Sequence, residues 1–361
     1  MGQGMRRGLM GWNAEELPIG VLNERIGRLR VAMQSSGLQA LLIYTNLVRP
    51  SAVSYLTGFT PYWSDGILLV GRAGSPTLAT ALSRRVAGWV RSVSPVGEIV
   101  NSPRPAAVVG ERIAGEDAGQ RVGVLEFDAF PSGYNDDLVA AAPRAEFIDA
   151  TAMFASVRRG TDAAERKLLG RVDAIATQAL DQVGTDNVAS PGEVAGLVEK
   201  RARLEGAEEA YVAVAPDLAA DRRMIRASPA MAFASLFALR ASIAYKGHWV
   251  RRTRTLANDP AAQLSVSRAD QWFAEVIASI EPKPLGEQVG ASVRRCRGAA
   301  LVSWMAESCV GSYPLQVIAG SRSPAGACLA NNDFLVLTIE LVVEGVPWLG
   351  AAPAIVGAAM E

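Results

Sequence analysis

The sequence predicts an α/β protein organised as two domains. Three observations carry that reading. Early in the chain, short apolar runs alternate with segments of helical spacing, the pattern of an α/β layer. Near Arg158 the pattern changes to long amphipathic stretches followed by extended, alternating ones. And 361 residues, 50% of them hydrophobic and 20% charged, suffice for two separate cores.

The elements follow in order. Asn23 to Gly37 places Ile26, Leu29, Val31 and Met33 at roughly helical spacing, with Gly37 as a stop. Leu38 to Tyr44 is an apolar run that reads as a buried strand, and Gly66 to Gly71 reads as another, leading into a turn at Ala73-Gly74-Ser75-Pro76. Val122 to Glu126 is a further strand. The second half opens with a helix whose cap is Thr161 or Asp162, with Glu165 in its first turn and Leu168, Leu169, Val172, Ile175 and Leu180 along one face. A second helix starts at Ser190-Pro191-Gly192-Glu193, with proline near its first position. Helices packed with antiparallel strands continue to the end, where Asp333 to Glu340 is the clearest strand. There is no usable internal repeat and no low-complexity linker. The expected domains are 1–157 and 158–361.

Composition excludes some functions. Basic and acidic residues balance at 36 each, so there is no electrostatic case for nucleic acid or an acidic membrane surface as partner. No stretch approaches the roughly 18 apolar residues of a membrane span, and no apolar run follows Arg6-Arg7 as a secretory signal requires. Cys296, Cys309 and Cys328 are an odd, widely spaced set without a CxxC, which suits a reduced, cytoplasmic protein.

Three stretches, taken in order, resemble the creatinase, prolidase and aminopeptidase P family. The first runs from Glu24-Arg25 through Met33, Gly37-Leu38-Gln39-Ala40-Leu41-Leu42-Ile43 and Tyr55-Leu56-Thr57-Gly58-Phe59, similar to the family's helix, strand and "Y-L-T-G-F" turn. The second is Leu239 to Thr255, similar to its metal-binding hairpin and ending in "T-R-T". The third is Leu335 to Glu340, similar to its "F-T-I-E" strand. The resemblance implies a creatinase-like N-terminal α/β domain followed by a pita-bread, aminopeptidase P-like domain, commonly in a homodimer.

The family holds a divalent metal pair with two aspartates, a histidine and two glutamates. Matched position by position, the aspartates are Arg240 and Arg251 here. Ser312 stands for the histidine, Glu340 is kept, and the last ligand falls in Gly350-Ala351-Ala352-Pro353, which contains no acid. Arginine is always cationic and only donates hydrogen bonds, so it cannot ligate a metal. The expectation is therefore no metal and no cofactor. The creatinase route, which uses a histidine from an earlier segment, finds Asp221 to Pro229 without one.

Candidate site residues follow from that match. Arg240 and Arg251, 11 residues apart, suit facing positions across a hairpin and offer guanidinium forks to a carboxylate or phosphate. The competing reading is that each only neutralises Glu340 or another acid. Glu340 and Tyr313 are the candidates for proton handling. Ser312, Arg226 and Trp63 are candidate substrate contacts, with a solvated charge run as the alternative for Arg226 and dimer packing for Trp63. Strand alternation puts Trp249 and Thr253 on the face of Arg251, and His248 and Arg252 on the other. His248, the one histidine of the chain, stays a candidate contact on chemistry alone. The expected function is a metal-independent enzyme of small-molecule biosynthesis, acting on an anionic, amino-acid-derived substrate by hydrolysis, elimination or cyclisation. The alternative is a pseudopeptidase that binds a protein or ligand without catalysis.

Overall fold

The computed structural model describes residues 12–61, 64–116, 120–184, 190–312, 314–322 and 328–358. The chain divides into two compact units, Met1–Arg159 with Cys309–Pro314, and Gly160–Ser308 with Leu315–Glu361.

The first unit contains α1 (Ile19–Ser35), β1 (Ala40–Thr45), α2 (Ser51–Thr57), β2 (Gly66–Gly71), β3 (Thr77–Thr80), α3 (Ala87–Val93), β4 (Glu98–Asn101), α4 (Pro105–Glu116), β5 (Arg121–Val124), α5 (Ser132–Ala141), β6 (Glu146–Asp149) and α6 (Thr151–Arg158). Its sheet has the order β4-β3-β2-β1-β5-β6 and is mixed: β1 runs antiparallel to β2 and parallel to β5. Both faces of β1 are buried, which is why Leu41, Leu42 and Ile43 form an unbroken apolar run. Helix α1 starts earlier than the spacing of Ile26, Leu29 and Met33 suggests, and Val31 is on its exposed face. Tyr55-Leu56-Thr57 is not a turn but the last turn of α2, closed by Gly58 at φ 68°. Tyr55 is sandwiched between two guanidiniums, Arg25 at 4.4 Å and Arg158 at 4.3 Å from its ring centre.

The second unit contains α7 (Ala163–Leu180), α8 (Pro191–Leu204), β7 (Glu209–Ala215), β8 (Ile225–Arg226), β9 (Leu236–Tyr245), β10 (His248–Ala257), α9 (Pro260–Ala278), α10 (Leu285–Val293), β11 (Ala299–Ser308), β12 (Gln316–Gly320), β13 (Phe334–Val343) and β14 (Val346–Ile355). Asp162 caps α7 by accepting from the Glu165 amide at 2.9 Å, and Ser190 caps α8 with Pro191 in its first turn. The eight strands are ordered β12-β11-β13-β14-β10-β9-β7-β8. Two tight hairpins fix their register. Lys246-Gly247 joins β9 to β10 and Glu344-Gly345 joins β13 to β14, each pair with both φ angles positive (51° and 74°, 52° and 82°). Two-residue turns of this kind match the strand twist and leave no slack. Tyr245 therefore pairs with His248, and Val343 with Val346.

That register sorts the side chains. Leu239, Ala241, Ile243 and Val250 pack with α7 and α8, while Leu337, Ile339 and Leu341 pack with α9. By alternation, Arg240, Ser242, Arg251, Thr253, Thr338 and Glu340 occupy the opposite face. Among the described residues no helix is long and apolar enough to cross a membrane.

Candidate functional site

The face away from the helices carries a cavity of about 530 Å³. One row of its floor is a set of cross-strand partners: Arg240 opposite Thr253, Thr253 opposite Ala351, Ala351 opposite Thr338, Thr338 opposite Met305. Five strands at about 4.8 Å spacing make this row roughly 19 Å long. Glu340 and Leu349 form the next pair, and Ser303 stands opposite Glu340 where the β11 register shifts. Met224, Met305, Val317 and Leu349 supply apolar wall. The charged residues lining the cavity are Arg222, Arg223, Arg240, Arg322 and a single acid, Glu340. Arg222 is paired with Glu340 and Arg223 with Asp221, so the positive excess among the described lining residues comes from Arg240 and the exposed Arg322.

Arg240 differs from its neighbours. It forms no hydrogen bond or ion pair among the described residues. Burial pushes its guanidinium below the usual arginine range. The like charge of Arg251 beside it acts in the same direction, and Glu307 only partly restores it. Arg240 is thus a half-buried cation on the cavity face, with no hydrogen bond or ion pair among the described residues.

Of the other cations here, Arg222, Arg223 and Arg251 are paired with acids, and Arg322 is exposed. Glu340 accepts from Arg222 at 2.6 Å through one oxygen and from the Ser303 hydroxyl at 3.0 Å through the other. Arg251 donates to Glu307, and its Nε reaches the Ser242 hydroxyl at 3.3 Å. Neither expected arginine neutralises Glu340; that partner is Arg222, from a segment that reads as a solvated charge run. Nor do Arg240 and Arg251 face each other. The hairpin register pairs Arg240 with Thr253 and Arg251 with Ser242, so the two arginines are diagonal neighbours.

The remaining expected contacts scatter. Trp249 shares the face of Arg251 but stacks on Tyr211, with ring centres 5.8 Å apart and planes within 5°. His248 is buried on the helix side of the sheet. Its Nδ1 lies 2.9 Å from the Lys246 carbonyl oxygen and its Nε2 is 3.7 Å from Glu165 of α7. A contact to a cavity ligand is ruled out for it by strand alternation. Arg226 is exposed on the short edge strand β8 and lines no part of the cavity. Ser312 belongs to the first unit, where its amide and hydroxyl both donate to Glu126. Tyr313 and Trp63 lie outside the described residues.

Sequence reasoning missed Glu307, Arg222, Ser303 and Thr338. Glu307 had one visible signal: Ser303, Met305 and Glu307 alternate along an otherwise apolar strand, so an acid there is turned into the cavity side and must be paired.

The residues do not fit a divalent metal. Each carboxylate on this face already holds an arginine, and the strand β14 offers Leu349 and Ala351 where a further acid would be needed. Among the described residues no group of three or more His, Cys, Asp or Glu side chains is placed to hold an ion.

Comparison with known proteins agrees with this architecture. Residues 25–159 match the Creatinase/Prolidase N-terminal domain family. The whole chain superposes on prolidase from Pyrococcus horikoshii with a TM-score of 0.69 at 15% identity, covering 92% of this chain and 95% of that one. The chain has the prolidase fold. Xaa-Pro dipeptidase from Bacillus anthracis gives a TM-score of 0.68 at 17% identity, covering 93% and 95%. The N-terminal domain of the FACT complex subunit SPT16 from chickpea gives 0.64 at 11% identity, covering 94% of each chain. No curated protein sequence matches the chain. The pita-bread sheet is thus shared with the prolidase and the Xaa-Pro dipeptidase.

Proposed function

We propose that this protein is a metal-independent enzyme of small-molecule metabolism that binds an anionic substrate in the cavity of its pita-bread domain. The observation that carries the reading is Arg240, a cation half withdrawn from water, unpaired, and set at one end of the cavity floor. A carboxylate or phosphate on Arg240 makes two charge-assisted hydrogen bonds in a fork, and it relieves the burial of a charge. The roughly 19 Å row leaves room beyond the anion for an extended, partly apolar body over Leu349 and Met305. Glu340, fixed by Arg222 and Ser303, is the acid–base group within reach of that body. Hydrolysis, elimination and cyclisation all suit a site that works by positioning and fixed charge.

A pseudopeptidase role, binding without turnover, is supported by one fact: both carboxylates are already tied to arginines. Turnover separates the two. The test is a thermal-shift screen of carboxylates and phosphates on the wild type and Arg240→Met. Hits stabilise the wild type and not the variant, and the enzyme reading further requires at least one hit to be converted. Anions that stabilise both proteins equally would remove Arg240 from the account. The homodimer implied by the fold family is part of the same proposal.

A further inference from the structure

We propose that Ser303 is a catalytic nucleophile, with Glu340 as its base, Arg222 orienting that base, and Thr338 donating to the oxyanion. The proposal rests on the anionic-substrate reading only for the far end of the substrate, which Arg240 would hold.

The geometry is that of an activated hydroxyl. Ser303 lines the cavity and donates to Glu340 Oε2 at 3.0 Å. The opposite oxygen of Glu340 accepts from Arg222 at 2.6 Å, so the carboxylate cannot rotate away from the serine. A nucleophile bonded to a base, with the base held by a third group, is the arrangement that acyl-transfer sites share across unrelated folds. Ser303 also sits where β11 slips register against β13, between Leu301 and Ser303. Such irregularities re-aim a side chain out of the regular pleat.

A second, independent observation points to a ligand. Thr338 lines the same cavity, and its hydroxyl, turned away from solvent, has no hydrogen-bond partner among the described residues. A buried donor left unmade costs about 1–3 kcal/mol, so such groups call for a partner. Thr338 is two residues from Glu340 on the same face, diagonal to Ser303. A rotation about its Cα–Cβ bond that brings the hydroxyl into the cavity would let it donate to an oxyanion formed at a carbonyl under attack by Ser303.

The step balances as follows. Ser303 Oγ bonds to the carbonyl carbon of an ester, thioester or amide, and its proton passes to Glu340. The carbonyl π pair moves to oxygen, where Thr338 donates to it. Collapse breaks the bond to the leaving group, which takes the proton from Glu340. Water, deprotonated by Glu340, then releases the acyl group as a carboxylic acid and restores Ser303. Arg240 lies four strands from Ser303, so the substrate is an elongated acyl compound with its anion remote from the reacting carbonyl.

The test uses two chromogenic esters, mono-p-nitrophenyl suberate, which has a remote carboxylate, and p-nitrophenyl octanoate, which has none. Quenched reactions are read by intact mass and peptide mapping. The expected result is an acyl adduct on Ser303 with the suberate ester, absent in Ser303→Ala, and formed about 10²- to 10⁴-fold more slowly in Glu340→Gln. Ser303→Cys guards against misfolding of the alanine variant: it should carry the adduct as a hydroxylamine-sensitive thioester. No adduct on the wild type, or an adduct that persists elsewhere in Ser303→Ala and Ser303→Cys, would overturn the proposal. Arg240→Met separates the two readings. If it slows the suberate ester but not the octanoate, both stand. If it slows neither while Ser303 is still acylated, the nucleophile stands and the anion anchor falls.

Discussion

Arg251→Ala should destabilise the second unit and do so through Glu307. The side chains of Arg251 and Glu307 retain only 19% and 9% of their exposure, and they are bonded to each other. Removing one partner of a buried pair leaves the other charge uncompensated, at a cost of about 3–5 kcal/mol. Loss of the repulsion between Arg251 and Arg240 offsets part of this, so the low end, about 3 kcal/mol, is expected. For a unit of this size each kcal/mol moves the melting temperature by about 2–4 °C, giving a drop of roughly 6–12 °C. Glu307→Gln should also be destabilising. The double variant Arg251→Met with Glu307→Gln should melt near the wild type, because a buried ion pair exchanged for neutral groups of similar volume is close to neutral. Melts of the wild type, Arg251→Met, Glu307→Gln and the double variant close a cycle whose coupling should exceed about 1.5 kcal/mol. Adding Glu340→Gln to Arg251→Ala should not rescue it, since Glu340 is held by Arg222. A rescue by Glu340→Gln, or an Arg251→Ala melt within a degree of wild type, would refute the pairing.

Other outcomes follow from the same structure. In the native protein Cys328 is exposed while Cys296 and Cys309 are buried, and burial pushes the Cys296 thiol up; a thiol-reactive dye at mild alkaline pH should therefore show one fast site and two that react only on unfolding. His248→Ala should lower the melting temperature, because it opens a gap between β10 and α7, yet leave anion affinity within about twofold, as titration calorimetry would show. Light scattering at micromolar concentration should give about twice the chain mass of 38.1 kDa if the proposed homodimer forms; a monomer mass would contradict it.

Much of the fold was readable because local signals agreed with tertiary burial. The run Leu41-Leu42-Ile43 is apolar on both faces because both faces of β1 are covered, and Asp162 and Ser190 announce their helices through their own side chains. The site was only half readable. That arginines stand at two positions of the hairpin was plain in the sequence, but which acid each one meets was not. Glu340 and Arg222 are 118 residues apart, and Arg251 and Glu307 are 56 apart, so nothing local links them. The hairpin register could have been read: Lys246-Gly247 is a two-residue turn, and counting outward from it puts Arg240 opposite Thr253. A spacing of 11 residues suggests facing arginines only if the turn is ignored. Beyond its place in the alternation with Met305 and Glu307, Ser303 gives no signal in the sequence. It becomes conspicuous only when the fold sets it opposite Glu340.

On the reading proposed above, the cavity of the second unit binds an anion through Arg240 and does not bind a divalent cation. The most direct measurement is isothermal titration of the best-binding anion into the wild type, Arg240→Lys and Arg240→Met, with Mn²⁺ titrated into the wild type in parallel. Loss of a bidentate, charge-assisted contact at Arg240 should cost about 2–3 kcal/mol, roughly 30- to 150-fold in affinity. Lysine should recover only part of it, because an ammonium lacks the planar fork, and Mn²⁺ should give no stoichiometric heat. Equal anion affinity in all three proteins, or one to two Mn²⁺ bound per chain, would contradict the account.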